Sequence, residues 1–274
     1  MIPAAFDYQR VDSADAAIAA LVEHGDEAKL LAGGHSLIPL MKFRLAAPAV
    51  VVDIGRIEEL KYVNDAGDHL AIGALTRHRD IEISDLVKSQ VPLLAACTAQ
   101  VGDNQVRHRG TIGGSIAHGD PASDMPSALL ALRATMIAKG PNGERQISAD
   151  DFFSGFLETA LNDDEILTEI QVPKVPNAGW SFQKFNRRAQ DWAIVGVSAL
   201  VNDGQAGIGL VNMDSKPIRA AAAEAAVGSG SDAAGAGAQA AEGAEPPSDL
   251  NASVEYRQHL ARVLTTRALA EAGL

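Results

Sequence analysis

The chain has a single cysteine, Cys97, in 274 residues. No disulfide can form within it, and it cannot house a thiolate-ligated iron–sulfur cluster. Aromatic residues are scarce, at 4%, while alanine and valine abound, which points to a compact mixed α and β protein. Positive charge is in deficit: 23 Lys and Arg stand against 35 Asp and Glu, a formal net charge of −12. That balance argues against nucleic acid or an anionic membrane surface as a partner. It leaves room for an anionic cofactor, because backbone dipoles can do the binding. The longest apolar run, Trp192 to Val201 with Ser198 inside it, is far short of a membrane span. The opening residues, Met1-Ile2-Pro3-Ala4-Ala5-Phe6-Asp7, lack the basic and apolar regions of a secretion signal. A cytoplasmic protein is the expectation.

Other signals are missing too. The seven histidines show no metal-ligand spacing such as H-E-x-x-H. His118 and Asp120 lie close together without a third ligand, and read as a solvated loop. There is no G-x-S-x-G elbow, no activated cysteine and no Walker A lysine after a glycine run. The chain holds no constellation that would activate a substrate by itself, so any hard chemistry belongs to a cofactor.

What is present is a pair of glycine loops, Ala32-Gly33-Gly34-His35-Ser36 and Thr111-Ile112-Gly113-Gly114-Ser115. Glycines without Cβ let the backbone turn sharply and gather several N–H groups at one point. Such a cradle binds an anion without a lysine, and Ser36, Thr111 and Ser115 add hydroxyls at the rims. Either loop alone reads as an ordinary turn. Two of them, about eighty residues apart, suggest a ligand with two adjoining phosphates, a dinucleotide.

Along the chain, Ser13 caps a helix to about Glu23, and Lys29-Leu30-Leu31 enters the first loop as a strand. Leu37 to Phe43 reads as a short helix and Ala49 to Ile54 as a strand, closing a small βαβ layer near residue 56. Strands near Tyr62 and at His69 to Ile72 open a second unit, with helices around Arg79 to Ile83, Pro92 to Val101 and Pro126 to Leu132. Gly140-Pro141-Asn142-Gly143 is the turn of a hairpin over Thr135 to Ile147. Glu165 to Val172 is a closing strand, and Pro173 and Pro176 mark a boundary. Beyond it, Trp180 to Phe185, Ala193 to Val201 and Gly207 to Val211 form a meander, followed by helices at Arg219 to Val227 and Asn251 to Ala270. Residues 228–247, rich in Ala, Gly and Glu, read either as a mobile linker or as a short surface helix.

The strings KLLAGGHSLIPLMKF at 29–43 and TIGGSIAHGDPASDMP at 111–126 resemble the FAD-binding medium subunit of molybdenum hydroxylases, the carbon monoxide dehydrogenase and xanthine dehydrogenase group. EILTEIQVP at 165–173 and Arg257-Gln258-His259-Leu260 support the likeness, which spans nearly the whole chain. The resemblance implies an α+β fold: a PCMH-type FAD-binding domain of two α/β subdomains, residues 1–56 and 57–176. A C-terminal domain, residues 177–274, would carry a three-stranded antiparallel sheet and helices.

It also implies a site. The amides of Ala32, Gly33, Gly34, His35, Ser36 and Leu37 and those of Thr111 to Ser115, Gly113 and Gly114 among them, would hold the FAD diphosphate, and Leu31 and Ala117 would also touch the cofactor. Ser115 stands where the family more usually has asparagine, so one contact would run through water. Asp124 would accept hydrogen bonds from the ribose or adenine end, or cap a helix. Val101 would pack the adenine, or simply end a helix. Leu167 would line the isoalloxazine or be a core leucine, and Lys184 would lie near the ring or on the surface. Trp192 would plate one face of the flavin or sit in the core. The resemblance further implies a large molybdenum-cofactor subunit and a small subunit with two [2Fe–2S] clusters, in a dimer of heterotrimers. Electrons would reach FAD in this chain and leave to a quinone, oxygen or NAD, with carbon monoxide favoured over aldehydes, N-heterocycles and aromatic CoA thioesters as the substrate of the complex. Two other readings stay open: a self-contained FAD oxidase with flavin covalently held by His35, and a flavin-free scaffold.

Overall fold

A computed structural model describes residues 2–274. Residues 7–53 build a parallel sheet of β1 (Asp7–Arg10), β2 (Ala28–Leu31) and β3 (Val50–Asp53), ordered β1-β3-β2. Its central strand opens with three valines, all buried, as a parallel strand covered by crossovers requires. Helix α1 (Ala14–His24) crosses from β1 to β2; Ser13 Oγ accepts the Ala16 N–H at 3.2 Å, capping it. The second crossover runs through residues 32–36 and the short helix α2 (Leu37–Lys42).

The second unit is an antiparallel sheet ordered β4-β5-β10-β6-β7. Strands β4 (Val63–Asp65) and β5 (His69–Gly73) come first. Six short helices follow before the sheet resumes: α3 (His78–Ile83), α4 (Asp85–Gln90), α5 (Pro92–Ala99), α6 (Asn104–Arg109), α7 (Ile112–His118) and α8 (Asp124–Ala131). They bury Leu93, Leu94, Ile112, Ile116 and Met125 against sheet residues such as Leu70, Ile72 and Ile170. The hairpin of β6 (Thr135–Gly140) and β7 (Gly143–Ser148) turns at Pro141-Asn142. After α9 (Ala149–Phe152) and a small ribbon of β8 (Phe153–Gly155) and β9 (Glu158–Thr159), strand β10 (Ile166–Pro173) returns to the middle of the sheet.

The last unit is a meander of β11 (Gly179–Phe185), β12 (Val195–Asn202) and β13 (Gln205–Val211). Its sheet has four strands, not three. A short β14 (Ile218–Arg219) pairs with Gly209 and Leu210, and the Arg219 guanidinium is tied to the buried Glu224 just after it. Helices α10 (Ala221–Gly228), α11 (Ala233–Ala238) and α12 (Val254–Glu271) cover one face. Residues 228–247 are not a bare linker: they contain the short helix α11, which leaves one face exposed and packs the other inward. Ala233, Ala236, Ala240, Ala241 and Ala244 are buried in the same core as α12, their small side chains allowing close backbone approach. No helix among the described residues is long and apolar enough to cross a membrane.

Helix α8 seats this unit on the second one. The Ser127 and Ala131 carbonyl oxygens occupy the space where Gly209 and Gly207 would carry a Cβ, so β13 lies directly on the helix. Ser127 Oγ and Ser198 Oγ share a buried hydrogen bond of 2.8 Å across the same contact.

Candidate functional site

The first glycine loop leaves β2 at its C-terminal end, where loops of parallel sheets gather ligands. Gly34 has φ +78°, a left-handed conformation that other residues adopt only under strain, and a Cβ there would also reach Ile38 Cδ1 at 2.7 Å. Gly33 is required for another reason. The Arg109 carbonyl oxygen and Gly110 Cα fill the place of its missing Cβ, and these residues lead into Thr111. The first glycine loop therefore abuts the two residues that precede the second. Among the described residues, the N–H groups of Gly33, Gly34, His35 and Ser36 bond to nothing in the chain. Ser36 makes no capping bond to α2 either, which leaves its hydroxyl free. Four consecutive open donors in one tight turn are the makings of an anion nest.

The second glycine pair is built differently. Gly113 and Gly114 lie inside the first turn of α7, not in a loop ahead of it, because Thr111 caps the helix by accepting the Gly114 N–H at 3.1 Å. The Ile112 N–H goes to Thr76 O, that of Gly113 to Ala74 O, and that of Ser115 to Thr111 O. Four of the five amides read as a cradle are thus spent inside the fold. Gly113 is a glycine so that Ala74 can pack against it. What this segment leaves unspent is the Thr111 N–H, with the half-buried Ser115 hydroxyl and the exposed Gly114 and Ala117 near it. The threonine three residues ahead of Gly114 was the legible signal for the cap.

Behind Ser115 stands His78, a residue that the sequence reading did not single out. Its Nε2 lies 2.9 Å from Ser115 Oγ, and its Nδ1 is buried without a partner. Burial, together with the charges of Arg107, His35 and Arg77, lowers the imidazole to about 4, so it is neutral at pH 7. Arg77 Nη1 donates to the Arg109 carbonyl, the group that Gly33 rests on.

Asp124 and Lys184 were read as serving separate parts of the site; the structure joins them. Lys184 Nζ lies 2.6 Å from Asp124 Oδ2 and donates to Gln100 O at 3.1 Å. Asp124 opens α8 without capping it, and its Oδ1 is buried and unpartnered. Burial raises its carboxyl to about 6, the lysine pulling the other way. Lys184 also borders a cavity of about 310 Å³ lined by Gln100, Gly102, Asn104, Arg107 and Gln190. Val101 is half-buried beside it. Leu167 belongs to the apolar core. Trp192 does not: it is 59% exposed, just before the start of β12, where Arg257 Nη1 holds the Ile194 carbonyl. Among the described residues no cluster of three or more His, Cys, Asp or Glu could hold a metal ion, and Cys97 is buried.

Residues 4–175 match the family described as FAD binding domain in molybdopterin dehydrogenase, and residues 180–272 match the CO dehydrogenase flavoprotein C-terminal domain. The chain is 38% identical to the carbon monoxide dehydrogenase medium chain of Hydrogenophaga pseudoflava, over 98% of this chain and 97% of that one. It is 39% identical to the glyceraldehyde dehydrogenase medium chain of Sulfolobus acidocaldarius, over 99% of both. The fold superposes with TM-score 0.95 on a chain of the solved H. pseudoflava carbon monoxide dehydrogenase lacking the Mo-pyranopterin moiety, covering 99% of this chain and 98% of that chain at 40% identity.

Proposed function

Because the chain belongs to the family of FAD-binding medium subunits of molybdenum hydroxylases, we propose that it is the flavin relay of a three-subunit complex. In this reading a small partner subunit with two [2Fe–2S] clusters delivers electrons to it, and a large partner subunit with the molybdenum cofactor oxidises the substrate. The division of labour suits a chain whose one cysteine is buried and which has no metal cluster among its described residues. A dimer of such heterotrimers in the cytoplasm completes the proposal.

The observation that carries it is the row of open N–H groups from Gly33 to Ser36, pressed by Gly33 against the backbone that leads to Thr111. These donors fit a diphosphate, which offers several anionic oxygens close together. When bound, FAD would supply the redox chemistry, accepting and passing electrons. The protein's part is binding and placement. Gly33 to Leu37, following Leu31 and Ala32, would hold the diphosphate from one side, with the Ser36 hydroxyl as an added donor. The Thr111 N–H and the Ser115 hydroxyl, beside Gly113, Gly114 and Ala117, would complete the cradle from the other. Val101 would cover the adenine. Asp124 and Lys184, as one pair, would fix the junction on which the C-terminal unit meets the cofactor. Leu167 would support the isoalloxazine from the core. Trp192, exposed on its loop, would plate one face of the ring and limit its contact with water and oxygen.

Likeness alone does not select the substrate, since the identities to a carbon monoxide and a glyceraldehyde enzyme are nearly equal, 38% and 39%. We favour a carbon monoxide-oxidising complex on the match of the C-terminal residues to the CO dehydrogenase flavoprotein domain. Purification of the native complex tests both levels. Copurified molybdenum and iron–sulfur subunits, with dye reduction by carbon monoxide, support the full reading. Dye reduction by glyceraldehyde alone would move the complex to the aldehyde branch. Flavin without either partner would remove the relay role and favour the self-contained oxidase. In that case acid precipitation distinguishes bound from covalent flavin, since flavin retained in the pellet would indicate attachment at His35.

A further inference from the structure

We propose that His78 is a positioning residue whose Nε2–H donates to Ser115 Oγ and so commits the Ser115 hydroxyl proton outward, as a donor to the flavin diphosphate. The inference rests on the FAD reading above and adds a residue to it. His78 opens α3 and is 1% exposed. Its ring is wedged against Gly110: a Cβ on that glycine would meet His78 Cδ2 at 2.8 Å, and the His78 N–H itself donates to Gly110 O at 3.1 Å. The ring therefore cannot turn freely, and Nε2 stays 2.9 Å from Ser115 Oγ.

Two neutral tautomers compete. With the proton on Nδ1, a buried N–H would be left without an acceptor, because Nδ1 has no partner. Ser115 would then have to spend its own proton on Nε2. With the proton on Nε2, only a lone pair stays unmatched at Nδ1. Orphaned buried N–H groups are rarer in proteins than orphaned acceptors. The second tautomer is the one that the site stabilises. In it Ser115 Oγ is already accepting from the interior, so its remaining proton points to the open side, where Gly114 and Ala117 are exposed. An O–H donated to a phosphate oxygen is a charge-assisted bond, about twice as strong as a neutral one. The paired residues are 37 positions apart, so no local pattern announces them.

The test uses the full chain, labelled with ¹⁵N-histidine, before and after addition of FAD. The expected spectrum shows His78 protonated on Nε2 and bare on Nδ1 already without cofactor. Ser115→Ala is expected to weaken FAD binding on the order of tenfold. His78→Phe should weaken it by a comparable factor, and His78→Gln, which retains a donor near the Nε2 position, should recover most of the loss. In the Ser115→Ala background, His78→Phe should change FAD affinity no further. An Nδ1–H tautomer overturns the inference even if His78→Phe fails to fold. So does a folded His78→Phe that binds FAD as tightly as the parent chain. Both outcomes differ from a parent chain that binds no FAD, which would overturn the flavin reading and this inference with it.

Discussion

Lys184 and Asp124, sixty residues apart, form an ion pair of 2.6 Å in which both side chains are almost sealed from water. The pair ties β11 of the C-terminal unit to the first residue of α8. Removing one partner from a buried pair leaves an uncompensated charge and costs about 3 to 5 kcal/mol. Lys184→Met is expected to lose that much at pH 7.5, read from urea denaturation. The loss should shrink toward pH 5. Burial already holds the Asp124 carboxyl up at about 6, and without the lysine it rises further and takes up a proton, ending the charge. A loss that is constant between these pH values would contradict the burial of Asp124.

His78 sets a pH dependence of its own. Its folded value, about 4, lies below its ordinary 6.5. Above pH 6.5 both folded and unfolded chains hold it neutral. As pH falls through 6.5 the unfolded chain takes up a proton that the folded chain refuses, so stability drops until about pH 4. The shift corresponds to roughly 3 kcal/mol. His78→Gln should escape this loss, so the stability gap between parent and variant should narrow by about that amount from pH 7 to pH 4. A pH-independent gap would show that the imidazole titrates normally.

Gly33→Ala would place a methyl group on the Arg109 carbonyl oxygen, a backbone atom that cannot swing aside. Overpacking of this kind costs about 1 to 3 kcal/mol, and the displaced loop is the proposed diphosphate cradle. We expect FAD affinity to fall at least about tenfold while the rest of the chain stays folded, as checked by far-UV circular dichroism and FAD titration. Gly67→Ala is the control. Its φ of +94° strains an alanine locally, but a Cβ there meets nothing within 4 Å, so its FAD affinity should be unchanged.

Trp192→Ala should leave stability within about 0.5 kcal/mol, since the indole is exposed and outside the apolar cores. The change should appear in the flavin instead, as brighter fluorescence and faster reoxidation by oxygen. Stopped-flow reoxidation of the reduced complex reads this directly, and an unchanged rate would remove the shielding role.

Much of the scaffold is written locally. Ser13 and Gly25 bound α1, the Pro141-Asn142 turn makes the hairpin, and the apolar run after Trp192 makes the central strand of the meander. The short helices α4 and α6 escaped because six residues give too little periodicity, although Ser84 and Asp103 cap them plainly. Residues 228–247 read equally as linker or surface helix because composition does not say which small residues face a partner helix. The cradle was half legible. Glycine chemistry pointed to both segments but did not reveal that Thr111 draws the second pair into a helix, where the fold itself uses the amides. The pairs Lys184–Asp124 and His78–Ser115 join elements far apart in sequence and leave no trace in spacing.

A crystal structure of the FAD-loaded chain is the most direct test of the account. It should place diphosphate oxygens within about 2.7 to 3.2 Å of the N–H groups of Gly33 to Ser36 and of Ser115 Oγ. A diphosphate bound elsewhere, with those donors facing only solvent, would contradict it.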